Sequence, residues 1–342
     1  ESPLATVKEW VEVKCPNCPR IGRRETNTMP QWAGSSWYWL RYVSPHYDEG
    51  IADPKQLERW LPVDLYIGGS EHAVLHLLYA RFWQKALVDA GVLHHDEPFK
   101  RFRAVGLVIG EDGQKMSKSR GNVINPDDVV AEYGADTLRI YEMFMGPFEN
   151  SAAWSTEGIR GARRFVERVW NMIHAQKSQT TANAQEDDAI HLKLHQTIKR
   201  VTESTEQFRF NTAIAALMEF LNVLEKTPAH HIATLETFVL LLAPYAPHVA
   251  EELWEVLGRK QSLAYEKWPQ WNNHVLAMAK ATIPVQVNGK VRGELQVQRG
   301  MSQPDIEHQA KTIENVQRFL AGKNIQKVIY VPDRLVNFVL TE

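Results

Sequence analysis

The chain has 342 residues, 44% hydrophobic and 23% charged, with a formal net charge of −2. That length supports two or three domains at roughly 100–200 residues each, and the near-neutral balance excludes a global basic field, so any nucleic-acid surface must be local. No apolar run approaches the roughly 20 residues a membrane helix needs, and two cysteines alone, Cys15 and Cys18, exclude a disulfide framework and point to a reducing cytoplasm.

The chain opens on Glu1, with neither Met nor a basic-then-apolar leader, which reads as a chain beginning mid-protein. Residues 1–150 have α/β texture. Cys15-Pro16-Asn17-Cys18 has zinc-knuckle spacing, but tetrahedral zinc wants four ligands and the nearest histidine, His46, belongs to no recognisable pair. The pair is at most half a knuckle, so no metal is expected there. Val63-Asp64-Leu65-Tyr66-Ile67 reads as a buried strand ending at Gly68-Gly69. A helix is expected over 72–90, with Leu75, Leu78, Phe82, Ala86 and Val88 along its apolar face and Gly91 as its stop. A second strand is expected from Arg103 to Ile109, before a turn at Glu111-Asp112-Gly113. Strand, helix, strand is the pattern of a parallel sheet.

Over residues 151–275 the period becomes helical. Ile159, Ala162, Val166, Val169 and Ile173 fall at steps of three and four, as do Leu194, Ile198, Val201 and Phe208. Further helices are expected over 212–224, 232–243 and 249–257, with Pro244 and Pro247 breaking the chain between the last two. The polar stretch 176–188 reads as a loop, and the whole as a helix bundle. Residues 276–342 change texture again. Alternation over 282–287, the two-residue turn Asn288-Gly289 and a return over 290–297 make a hairpin. One helix over 303–320 and strands over 327–331 and 335–340 complete a small α+β module.

The strongest chemical signal is Gly113-Gln114-Lys115-Met116-Ser117-Lys118-Ser119-Arg120-Gly121-Asn122. Two lysines bracketing small hydroxyl residues in a Gly-flanked turn make a cationic loop able to clasp a polyphosphate and offset charge developing on it. Upstream, Gly68 to His76 lies where a strand end opens a helix, the usual place for a nucleotide in an open α/β sheet. Glu71 can accept two ribose hydroxyls, and His76 lies one helical turn beyond His72. In the bundle, Arg160, Arg164 and Arg168 fall on one stripe. The terminal module carries nine Lys/Arg against six Asp/Glu, and Lys290, Arg292, Lys323 and Lys327 are candidate phosphate contacts.

Lys115-Met116-Ser117-Lys118-Ser119 resembles the signature loop of class I aminoacyl-tRNA synthetases. Asn125-Pro126 and Tyr133-Gly134-Ala135-Asp136-Thr137-Leu138-Arg139 follow it as in that family. Trp60 to His72, Leu75 to Tyr79, Gly34-Ser35-Ser36-Trp37-Tyr38, Phe210 to Ile214, Ala243 to His248 and Lys327 to Pro332 are similar to the bacterial leucyl-tRNA synthetases in particular. The resemblance spans essentially the full chain. It implies the second half of a Rossmann-type catalytic domain (1–150), a helical anticodon-binding domain (151–275) and a C-terminal tRNA-binding domain (276–342). It implies ATP-dependent activation of leucine to leucyl-AMP with Mg2+, then transfer to tRNA(Leu), in the cytoplasm. Lys115 and Lys118 would be catalytic. Gly69, Glu71, His72, His76, Met116, Ser117, Lys118 and Ser119 would bind ATP or the adenylate. Arg160, Arg164, Arg168, Lys290, Arg292, Lys323 and Lys327 would meet the tRNA.

The departures matter equally. The family's His-x-Gly-His signature is missing: no Gly-His dipeptide occurs in the chain. The inserted editing domain is missing too, and the short path from Arg103 to Gly113 leaves no room for the insertion some members carry there. Half of the nucleotide sheet therefore has no strands, and its edge would need a partner. Three readings stay open: a fragment of a single-chain synthetase, a subunit completed by an N-terminal half, and a free-standing tRNA-binding module. The isolated chain is expected to be inactive in leucine activation.

Overall fold

The computed structural model describes residues 2–27, 32–176, 187–226, 230–277, 280–298, 301–332 and 334–341. The described residues form two compact units, Glu1–Lys115 with Glu149–Ala153, and Met116–Phe148 with Trp154–Glu342. The first break falls inside the lysine-rich loop, between Lys115 and Met116, and residues 116–148 group with the bundle.

In the first unit, α1 (Lys8–Val11) leads into an antiparallel hairpin, β1 (Glu12–Lys14) and β2 (Ile21–Arg23), whose connection holds Cys15 and Cys18. Short helices α2 (Trp32–Ser35) and α3 (Tyr38–Tyr42) precede α4 (Pro54–Trp60), which Asp53 caps by accepting from the Lys55 amide. A small core of Trp39, Leu40, Leu57, Leu61, Ala80 and Leu93 sits between them. β3 (Tyr66–Gly69) pairs in parallel with β4 (Phe102–Val105), Tyr66 beside Phe102 and Gly69 beside Val105. The crossover runs through a 3-10 turn (Ser70–Val74) and α5 (His76–Asp89). β5 (Val108–Ile109) pairs in parallel with β6 (Ala152–Ala153).

The strand–helix–strand order is as expected; its details differ. The strand lies three residues later than the apolar run suggested. Val63 makes only an isolated bridge to Phe99, and Gly68 and Gly69 are inside the strand, because their bare backbones pair with Ala104 and Val105. The helix starts at His76, since Leu75 (φ −117°, ψ −101°) leaves helical geometry. The second strand divides into β4 and β5. The buried face of α5 is His76, Ala80 and Gln84. Of the expected apolar stripe only Val88 packs on the core, whereas Leu75, Leu78 and Phe82 are exposed, the last two by 58% and 69%.

The second unit begins with α6 (Pro126–Tyr133), opened by an Asn125 cap and Pro126, and α7 (Ala135–Phe144). α8 (Thr156–Gln176), α9 (Asp188–Glu206), α10 (Phe210–Leu224), α11 (Ile232–Leu242) and α12 (Pro247–Val256) enclose one large core, centred on Phe220, Phe238, Leu217 and Leu235. The expected loop over 176–188 lies outside the described residues except at its two ends. Phe208 is not on α9: the helix stops at Glu206, Phe208 takes φ 61°, and its ring joins Phe148 and Phe210 at 5.4 and 5.2 Å. Pro247 begins α12 rather than merely breaking the chain, as its fixed φ suits a first helical turn. Buried Asp136 holds that helix start, with Oδ2 accepting from the Val249 amide at 2.7 Å and Oδ1 at 2.8 Å from His248 Nδ1.

After α13 (Asn273–Ala277) come β7 (Lys280–Val287), β8 (Lys290–Gln298), α14 (Gln303–Thr312), α15 (Glu314–Leu320), β9 (Ile325–Val331) and β10 (Leu335–Leu340). The sheet order is β8-β7-β10-β9, with β7 and β10 parallel. Asn288 and Gly289 turn the hairpin with φ 48° and 75°, and Asn288 Oδ1 accepts from the Leu340 amide. The expected single helix is two, because Ile313 turns extended (ψ 119°) and lays its side chain against Gly293 of β8.

Candidate functional site

In the first unit, β3 and α5 converge on His76. Tyr66 Oη lies 2.6 Å from His76 Nε2 and 3.0 Å from Tyr38 Oη, an unbroken line of three polar groups. Aromatic rings wall it in: His76 stacks with Tyr38 at 6.5 Å, meets Trp39 edge-on at 6.4 Å, and Tyr66 stacks on Phe99 at 3.9 Å. Burial pushes the His76 pKa below its ordinary value, helped by the neighbouring His72. Burial also raises the Tyr66 phenol, and its hydrogen bond with Tyr38 adds to that. Both shifts favour the neutral forms of His76 and Tyr66, which can reorient their protons toward a bound polar group. The Nδ1 atoms of His72 and His76 are buried with no hydrogen-bond partner among the described residues, so this corner holds unused bonding capacity.

Gly69, Glu71, His72 and His76 come together here, on one strand end, one 3-10 turn and the first residue of α5. Glu71 is exposed, and its carboxylate rests where a Cβ on Gly69 would stand, so any larger residue at 69 would displace it. Tyr38 and Tyr66 were not singled out from the sequence. The available signal was a tyrosine hydroxyl on a strand that must bury it, since a buried phenol seeks a partner.

The lysine loop is described in two pieces. On the first unit, Gly113 (φ 72°) turns the chain, its amide donating to Gly110 O at 2.9 Å, while Gly110 donates to Gln114 O at 2.8 Å and Lys115 is exposed. On the second, Met116 packs against the bundle core, and the Ser117 amide donates to Asn122 Oδ1 at 2.9 Å. The Ser117 and Ser119 hydroxyls are 3.2 Å apart, and Lys118–Arg120 form a 3-10 turn closed by Gly121 at φ 68°. Lys118 is exposed, and neither it nor Lys115 enters an ion pair among the described residues.

The arginine stripe faces outward on α8, opposite Ile159, Phe165, Val166 and Val169. Its members differ. Arg160 lies 3.4 Å from Glu157, Arg168 is bound by Glu225 and by Asn222 Oδ1 at 2.6 Å, and Arg164 is exposed. A groove of about 700 Å³ between α9, α10 and α13 also carries basic groups, but Lys193 and Arg200 both pair with Glu219, at 3.1 and 2.9 Å. In the terminal module Lys290, Lys323 and Lys327 are exposed, whereas Arg292 is half-buried with its guanidinium 3.7 Å above the Phe319 ring. No group of three or more His, Cys, Asp or Glu able to hold a metal gathers among the described residues. Cys15 and Cys18 carry free thiols, and amides of Asn17 and Cys18 with the Cys18 thiol lower the Cys15 pKa. No described helix is long and apolar enough to cross a membrane.

Comparisons with known proteins agree in one direction. Residues 23–155 match the family described as tRNA synthetases class I (I, L, M and V), and residues 187–307 match the anticodon-binding domain of tRNA ligase. Leucine–tRNA ligases of two Leptospira biflexa serovar Patoc strains are each 50% identical over 342 residues, covering 99% of this chain and 39% of theirs. A crystal structure of Agrobacterium radiobacter K84 agnB2 LeuRS, in ternary complex with tRNA and LeuAMS, superposes with a TM-score of 0.86. It is 35% identical and covers 100% of this chain and 46% of its own. The chain thus spans about two fifths of the length of the curated relatives it matches. Two of its segments match class I tRNA synthetase and tRNA-ligase anticodon-binding families, and over nearly its full length the chain is a homologue of part of the leucine–tRNA ligases.

Proposed function

We propose that this chain works as part of a leucine–tRNA ligase, in the cytoplasm. The complete enzyme would form leucyl-AMP and pyrophosphate from leucine and ATP, then pass the leucyl group to tRNA(Leu). The observation that carries this reading is identity of 50% along 99% of the chain together with an intact lysine loop, which a pure RNA-binding module would not need. Lys115 and Lys118 are assigned to the phosphates, where an exposed ammonium can meet charge that grows as the α-phosphate is attacked. The amide bond from Ser117 to Asn122 and the turn at Gly121 shape the backbone on either side of Lys118, with Met116, Ser117 and Ser119 beside the nucleotide. Glu71 suits the ribose hydroxyls. His76, steadied by Tyr66 and Tyr38, suits the adenylate or amino acid, with Gly69 giving Glu71 its room and His72 alongside.

Magnesium would come with ATP. The described residues build no carboxylate cage for it, and Mg2+ is commonly held largely by substrate phosphates and water. It would supply charge neutralisation on those phosphates. The tRNA surface is assigned to Arg160, Arg164 and Arg168 on α8 and to Lys290, Arg292, Lys323 and Lys327 in the terminal module. Leucine activation needs a second polypeptide part, an N-terminal synthetase half in the same chain or another.

The test is leucine-dependent ATP–pyrophosphate exchange. The chain alone should show none, and the chain combined with the part of the Leptospira biflexa relative outside the match should show it. Lys118→Ala in that complex should lower the chemical step by roughly 10²–10³-fold while leaving ATP binding nearly intact. A folded complex without exchange, or a variant altered only in KM, would overturn these assignments.

A further inference from the structure

Helix α5 buries a glutamine among leucines. Gln84 is 1% exposed and shares the inner face of the helix with His76, about 12 Å further along its axis. Its Nε2 donates to the His95 carbonyl oxygen at 2.6 Å. A carbonyl can only accept, so that bond fixes which way the amide points and leaves Oε1 as its other end. Oε1 is buried and has no hydrogen-bond partner among the described residues. Folded proteins rarely leave such an acceptor unpaired, because taking it out of water without a replacement bond is unfavourable.

Gln84 also lines a cavity of about 170 Å³. Leu57 of α4, Leu61 just past its end and Leu93 of the α5–β4 connection make its buried walls, and Glu58, Val92 and His94 stand at its exposed mouth. Every lining residue falls within residues 54–95, so one continuous stretch of this chain builds the whole cavity. An apolar cavity of roughly 150 Å³ takes benzene. A pocket that is mostly apolar with one fixed polar group orients a ligand through that group.

We infer that this cavity is a binding site for a small neutral molecule with an apolar body of about one ring and a single O–H or N–H donor, held by Gln84 Oε1. A charged ligand fits poorly, since leucine walls offer a charge no solvation. A water fits poorly too, because it needs two to four polar partners and the buried walls beside Oε1 are leucines. The site is separate from the His76 corner and does not rest on the leucine–tRNA ligase reading.

The test titrates the full chain with phenol, and with toluene as a probe of the same size without the donor, by isothermal titration calorimetry. Phenol should bind saturably at one site. Gln84→Met keeps the side-chain length but removes the acceptor, and should weaken phenol about tenfold while changing toluene by less than about twofold. Val92→Trp, at a position already 41% exposed, should close the mouth and weaken phenol at least as much without altering the circular dichroism of the chain. This second variant keeps the test open should Gln84→Met fail to fold. No saturable phenol binding, equal weakening of both probes by Gln84→Met, or phenol binding untouched by Val92→Trp would overturn the site.

Discussion

Two of the sheets with parallel pairs, β3–β4 and the sheet of the terminal module, are built on opposite terms. In the terminal module, β7 and β10 bury Ile283, Val285, Val336 and Phe338 completely beneath α14 and α15. Around the His76 corner, β3 and β4 leave Ile67 and Phe102 open, and α5 turns Leu78 and Phe82 to solvent. One sheet is covered by its own chain, whereas the other leaves residues of both strands partly open among the described residues. The bundle resembles the first: its core closes on itself around Phe220 and Phe238, whose rings meet edge-on at 5.8 Å.

That contrast can be broken by substitution. Phe238→Ala removes a fully buried ring, and should cost about 3–5 kcal/mol, read as a loss of urea resistance in the helical unit. Phe82→Ala removes a ring that is already 69% exposed, and should change stability by no more than about 0.5 kcal/mol in the same titration. A large loss from Phe82→Ala would mean the stripe is already covered within the chain.

A smaller effect should appear with pH. Burial holds the folded His76 below its ordinary value of 6.5. As pH falls below about 6.5 the unfolded chain takes up a proton that the folded chain resists, so stability present above that pH is lost until folded His76 titrates as well. The His76 ring proton resonances should therefore titrate below 6.5 and the first unit should soften on acidification. Titration at or above 6.5 would contradict the closed arrangement with Tyr66 and Tyr38.

These particulars also explain what could be read in advance. Ile159, Ala162, Val166, Val169 and Ile173 announced α8 because their partners lie in the same bundle, so the period of burial equals the period of the sequence. Asn288-Gly289 announced its hairpin because the turn is local. The stripe on α5 was visible as a stripe but was assigned to the wrong side, since a period gives a face and not the identity of what covers it. The phenol-to-imidazole line was not legible, because Tyr38, Tyr66 and His76 meet only through the fold. Nor was the pairing of Arg168 with Glu225, 57 residues away, which takes one of the three stripe arginines partly out of play. Asp136 lay in a motif noticed only by resemblance; its physical task, holding the start of α12, emerges from the contact with Val249.

If the helical unit and the terminal module carry the proposed tRNA contacts, the chain alone should bind tRNA. The direct measurement is fluorescence anisotropy of a leucine tRNA transcript titrated with the chain alone at several salt concentrations, beside an unrelated RNA hairpin. The account predicts clear preference for the tRNA and an affinity that falls with salt, each phosphate contact contributing roughly −0.7 to −0.9 to the log–log slope. Substituting Arg160, Arg164 and Arg168 together should flatten that slope by about two units. Equal affinity for the tRNA and the hairpin would contradict the account, leaving the synthetase likeness as ancestry rather than a retained activity.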